Sequence, residues 1–219
     1  MRRLALSLLF SIAAALAHAG PVKVVPADDP DVAAGWAAYR ADNFAKAIEH
    51  YRKAAARDER VGQFNLAVML MAGEGGPADP VEGVRWLRKS ADLGLARAQY
   101  ALGLLYERGE HVTRSVTEAT AWFLRAAQGG HRDAQVSVGT QYFLGRGATR
   151  DYREAARWYE RAAEQGDEGS AYIVASLYEK GDGVERDLVR AFYWYSRAAA
   201  GGDPAAIYKA REMREQLSR

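Results

Sequence analysis

Between Asp151 and Gly166 the apolar residues fall on one stripe of a helix. Ala155, Trp158, Tyr159, Ala162 and Ala163 follow the i, i+3, i+4, i+7, i+8 order that puts side chains on a single face. Asp151 stands before the stripe as a cap, and Glu154 sits three residues on, the capping-box spacing; Gly166 ends the element. Upstream, a first helix is predicted from about Asp133 to Leu144, with Val138, Gly139 and Tyr142 on one side. Gly145-Arg146-Gly147 joins the two. Glycine suits the left-handed conformation that closes a helix, and a second glycine permits a compact reversal.

This two-helix pattern recurs. Trp86, Trp122, Trp158 and Trp194 lie 36 residues apart, as do Gly73, Gly109, Gly145 and Gly181, and also Gly94, Gly130, Gly166 and Gly202. Ser90, Ala126, Ala162 and Ala198 keep the same register. The start signal returns as Ser115 with Glu118 and as Asp79-Pro80 with Glu82, where proline takes the first helical position; Asp187 keeps the cap, but Arg190 replaces the glutamate. Ala67, Gly103, Gly139 and Ala175 are small at one first-helix position, which lets a neighbouring helix approach closely. Lys89, Arg125, Arg161 and Arg197 lie near the helix ends, where positive charge complements the helix dipole.

The predicted organisation is a leader at 1–19, a linker at 20–30, a shorter helix pair at 31–60, four repeats at 61–94, 95–130, 131–166 and 167–202, and a C-terminal capping helix at 203–219. The pair at 31–60 lacks the glycine loop, and His50 occupies the register that later holds tryptophan. In the last helix Arg211 falls where earlier repeats have the small residue, so a further unit is not expected to dock there.

Composition narrows the function. With no cysteine among 219 residues there is no disulfide, thiolate nucleophile or cysteine-ligated zinc, and no cysteine to carry a lipid anchor. The formal charge of +2 gives no sign of a nucleic-acid binder. Arg2 and Arg3, the apolar run Leu4 to Leu16, and Ala17-His18-Ala19 match a cleaved export signal, with cleavage expected after Ala19. Thirteen apolar residues are too few to span a bilayer, which needs about 20, so no stable membrane insertion is expected after cleavage. The expected location is periplasmic or secreted.

The chain resembles the Sel1-like repeat family, a relative of the tetratricopeptide repeat. The match rests on Val174 to Tyr178, on Gly181-Asp182-Gly183-Val184 with Asp187, and on Ala191, Trp194, Tyr195, Ala198, Ala199 and Gly202, and it covers four units from about 61 to 202. The segment 31–58 looks more like a tetratricopeptide unit. His111 replaces the second loop glycine of its repeat, which bears on how tight that loop is. The resemblance implies an all-α fold, a right-handed α/α superhelical solenoid of stacked helix-turn-helix repeats. It also implies an adaptor for protein partners, commonly exported in bacteria.

Chemistry-bearing motifs are missing from the sequence. There is no His-Glu-x-x-His, Ser-x-x-Lys, Gly-x-Ser-x-Gly, phosphate loop or EF-hand spacing, and the Gly-x-Gly loops do not follow strands. No catalytic residue, cofactor or metal site is predicted. Some cysteine-rich relatives are associated with β-lactams; this chain lacks their cysteines and any serine–lysine pair, so a β-lactamase-like hydrolase ranks last. The aromatic content, 11% with 12 tyrosines, raises a glycan-binding alternative, directed at peptidoglycan, against which stands packing of the four periodic tryptophans between helices. The favoured reading is a protein or peptide partner on the concave face of the first helices. There Val68, Leu104, Thr140 and Ser176 form one column, and Met69, Leu105, Gln141 and Leu177 the next. The partner-binding candidates are Asn65, Thr140, Gln141 and Ser176.

Overall fold

The computed structural model describes residues 25–218. The predicted leader, the start of the linker and Arg219 lie outside the described residues. The described residues form eleven α-helices, one 3-10 turn and no strand, and the expected array of stacked helix pairs is the observed fold. Two compact units divide between His131 and Arg132.

The first unit holds α1 (Pro30–Arg40), α2 (Phe44–Ala56), α3 (Arg60–Ala72), α4 (Pro80–Asp92), α5 (Ala96–Arg108) and α6 (Val116–Gln128). The second holds α7 (Arg132–Leu144), α8 (Tyr152–Glu164), α9 (Glu168–Lys180), α10 (Leu188–Ala198), the 3-10 turn Ala199–Gly201 and α11 (Pro204–Leu217). Within each unit every helix packs on the next in sequence.

Packing is close where a glycine of one helix meets a ring of the next. A Cβ added at Gly103 would lie 2.6 Å from the Phe123 ring, one at Gly139 would lie 2.9 Å from Tyr159, and one at Gly35 would lie 2.6 Å from Tyr51. All three rings are fully buried. The ring thus fills the volume that a side chain would take, and its burial outweighs the roughly 1 kcal/mol that glycine costs inside a helix.

The helix starts are capped as the sequence predicts, with one difference. Asp79, Ser115, Asp151 and Asp187 each accept an N–H of the first turn through the side chain. The return half of a capping box is replaced. The backbone N–H of each cap donates to the carbonyl of Leu70, Tyr106, Tyr142 or Tyr178, which lie 36 residues apart on the preceding helix. The N3 acids are released for other work, so Glu82 accepts from Arg52 and from the Trp86 indole. This bond locks each loop to the helix it leaves.

Buried glutamines tie successive pairs in the first unit. Gln63 donates to the Ala55 carbonyl and Gln99 to the Ala91 carbonyl, at 3.4 and 3.0 Å, adding a second bond to carbonyls that also accept the backbone N–H of Asp58 and Gly94. His111 takes φ 59°, alongside 86° for Gly75, 68° for Gly147 and 74° for Gly183. The loop keeps the backbone path of its glycine counterparts, and His111 reaches into solvent. Gly183 has no such room, since its Cβ would meet the backbone of Tyr152 and Arg153.

At the C-terminal end α11 packs on α10 through Ala206 and Met213, while Arg211 is exposed. Lys209 reaches back to Glu179 at 2.8 Å, and Tyr195 donates to the same carboxylate at 2.6 Å. Burial alone would raise the Glu179 pKa, but these two donors outweigh it and hold the carboxyl below its ordinary 4.5.

Gly103→Ala should destabilise the chain by about 1–3 kcal/mol in urea unfolding, because the strain against Phe123 exceeds the gain in helix propensity. An unchanged or raised stability would contradict the close packing. A depressed carboxylate pKa adds stability that is present above 4.5 and lost as the pH falls through the lowered value. Glu179→Gln should therefore lower stability at neutral pH by about 1–2 kcal/mol and flatten the loss between pH 5 and 3, as followed by acid titration of helical circular dichroism.

Candidate functional site

The first helices are the most enclosed elements. In α3 every residue from Gly62 to Leu70 is buried, which requires packing on all sides of that helix. The second helices show the one-sided burial predicted for them, with Ala155, Ala156, Trp158, Tyr159, Ala162 and Ala163 inside.

The four candidate residues do not share one environment, and they divide between the units. Thr140, Gln141 and Ser176 are buried in the second unit. The Thr140 hydroxyl donates to the Val136 carbonyl at 2.9 Å and lies 3.0 Å from the Tyr159 hydroxyl. Ser176 stands beside the hydroxyl of Tyr195. In both places burial pushes the tyrosine pKa up, and the facing side chain works against that shift.

The polarity of this column therefore has a local cause. In the four glycine-looped repeats, where the second helix carries tyrosine (Tyr159, Tyr195), the residue 19 positions earlier is a hydroxyl; where it carries Leu87 or Phe123, the corresponding residues are Val68 and Leu104. A buried phenol needs a polar neighbour, and a phenyl or isobutyl group does not. These hydroxyls support the face from beneath.

Asn65 is different. It lies on α3 in the first unit, fully buried, and its carboxamide engages the chain before α1. Oδ1 accepts the N–H of Val25 at 2.7 Å, and Nδ2 donates to the carbonyl of Val25 at 2.6 Å. Tyr51 lies alongside; burial raises its pKa strongly, and its contact with Asn65 opposes the rise. The pairing with residue 25 was not visible in the sequence, because a separation of 40 positions leaves no periodic trace.

The tryptophans are packed and covered. Trp122, Trp158 and Trp194 are buried, and a cation three residues on lies over each ring, with Arg125 and Arg161 at 4.5 and 4.7 Å from the ring centroids and Arg197 at 5.5 Å. Lys89 covers Trp86 at 4.5 Å. The basic residues predicted to complement the helix dipole thus also shield ring faces that a sugar would need for stacking.

Other polar groups serve local structure. His50 Nδ1 meets Asp31 at 3.2 Å. Hydrogen bonds from His50 and then Arg57 hold the Asp31 carboxyl below its usual range. His131 stacks on Tyr100 with centroids 4.5 Å apart. An open depression of about 500 Å³ in the second unit is lined by Arg153, Arg186 and Arg190, but Arg190 binds Tyr178 and Asp187, and Arg186 donates to the Glu179 carbonyl. Among the described residues no group of three His, Cys, Asp or Glu side chains is placed to hold a metal ion, and no helix is long and apolar enough to cross a membrane.

Comparison with known proteins bears on this arrangement. The Sel1 repeat model matches residues 29–59, 61–95, 96–131, 132–167 and 169–203, so it takes in the first helix pair as well as the four glycine-looped repeats. The crystal structure of c5321, a protective antigen of uropathogenic Escherichia coli strains displaying an SLR fold, superposes with a TM-score of 0.72 at 34% identity, covering 82% of this chain and 39% of that one. A Sel1 repeat protein from Oxalobacter formigenes gives 0.73 at 32% identity, covering 78% of this chain and 71% of its own. No curated protein matches.

Proposed function

The chain belongs to the Sel1 repeat family, whose members are generally protein-interaction scaffolds and typically non-catalytic, and on that premise we propose that it is a non-catalytic adaptor of the bacterial cell envelope. It is exported by the leader at 1–19 and released after Ala19 into the periplasm or the medium. Its partner is a protein or peptide that docks along the first helices. Neither a cofactor nor nucleic acid enters this reading.

The observation that carries the proposal is the engagement of Asn65 with an extended segment. A first-helix side chain spends its whole hydrogen-bonding capacity along one edge on a peptide backbone, which is how a scaffold holds a polypeptide. The covered tryptophan faces favour a protein partner over a glycan, since no ring among Trp122, Trp158 and Trp194 is free to stack. The absence of any Ser-x-x-Lys pair and of cysteine leaves a β-lactamase-like hydrolysis without its residues.

The mature chain, immobilised and exposed to envelope extract, should retain a protein saturably. Leu105→Glu, at a half-buried first-helix position, should weaken retention at least about tenfold, while Arg157→Glu on the outer face of α8 should not. Circular dichroism checks that both variants stay folded. Saturable binding to purified peptidoglycan with no protein retained would overturn the adaptor reading.

A further inference from the structure

Asn65 reads a backbone. Val25 presents its N–H and C=O on the same side, as an extended residue does, and the planar carboxamide supplies one acceptor and one donor to match. No side-chain atom of Val25 takes part, so these bonds recognise chain conformation and not residue type. Burial of the segment alternates: Val25 and Ala27 pack against the core of the first unit, while Pro26 and Asp28 are exposed. That is the two-residue period of an extended chain laid on a surface.

The segment is separable from the helix array. α1 begins at Pro30 with its own cap, Asp29, whose carboxylate accepts from Asp31 and Val32. Nothing in that cap requires Val25 to be seated. The carboxamide is also particular to this repeat, since the equivalent position in the next repeat of the same unit is Ala101. A buried Asn with no backbone to pair would keep only the Tyr51 hydroxyl beside it, one group against a donor and an acceptor, so the site is built for an extended occupant.

We propose that the α3 face around Asn65 docks an extended segment of a partner protein, and that Val25–Ala27 occupies this site in the meantime as an exchangeable strap. The partner segment pairs one residue's N–H and C=O with Asn65 and seats a small apolar side chain two positions on, where Ala27 sits. A second copy of the chain would bring the same residues without the advantage of attachment, so it competes poorly with the strap already in place. The proposal rests on the scaffold reading and names the local chemistry of its partner. An occupied site also lowers the apparent affinity for any competitor by the fraction of time that the strap is bound.

The test uses the whole mature chain and a fluorescent peptide of its own sequence from Gly20 to Asp31, followed by fluorescence polarisation. Val25→Pro with Ala27→Asp removes the donated N–H and the apolar seat without touching a helix. This freed chain should bind the peptide at least about tenfold more tightly than the natural chain. Adding Asn65→Leu should abolish the gain, and a peptide N-methylated at Val25 should not bind the freed chain, a comparison that leaves the protein unaltered. Absence of peptide binding to the freed chain, or equal binding of the N-methylated peptide, would overturn the proposal. Concentration-dependent dimerisation of the natural chain through this segment would overturn it too, by assigning the site to a second copy. Such a failure, with Leu105 still required for retention from envelope extract, rejects the strap and leaves the scaffold standing.

Discussion

In three of the five described helix pairs a helix backbone lies directly against an aromatic ring of the helix that follows, and the array depends on this contact. At Gly103, Gly139 and Gly35 there is no space even for a methyl group, and the ring opposite is fully buried. In a chain without cysteine, no covalent link substitutes for this contact. The stability of a repeat array is a sum of such neighbour terms, so each ring-on-backbone contact supports the pair that it joins and the surface that the pair presents.

The remaining features follow from that contact. Holding two helices at such close range fixes where each loop begins and ends, and the bond from the cap N–H to the first-helix carbonyl, repeated at Leu70, Tyr106, Tyr142 and Tyr178, secures the loop there. At Tyr159 and Tyr195 the hydroxyl is buried as well, and the first helix answers with Thr140 at the one and with Glu179, beside Ser176, at the other. Cations three residues after the tryptophans close the outer side. Among the described residues, Asn65 engages a backbone segment that lies outside the helix pairs.

Much of this was legible in the sequence. The period, the capped starts, the small first-helix positions and the polar last helix all come from local rules of helix chemistry, and the structure has them where the spacing puts them. His111 shows how far such rules reach: a histidine stands at a glycine position and adopts φ 59°, because the loop path is dictated by the helices on either side. The surface was harder to read. Thr140 on α7 and Ser176 on α9 look like a polar patch across the first helices, and the reason for each is a tyrosine on the helix that follows, 19 residues away. In the sequence Asn65 reads as a partner-binding candidate on the concave face, but its partner is a non-periodic segment 40 residues away.

The central claim is that the first helices, and α3 above all, carry the partner. Hydrogen exchange by mass spectrometry on the mature chain, with and without a saturating partner retained from envelope extract, tests it most directly. The account predicts faster exchange at residues 25–29 and slower exchange along α3 and α5 when the partner is bound. Protection confined to the outer faces of α4 and α6, with residues 25–29 unchanged, would contradict it.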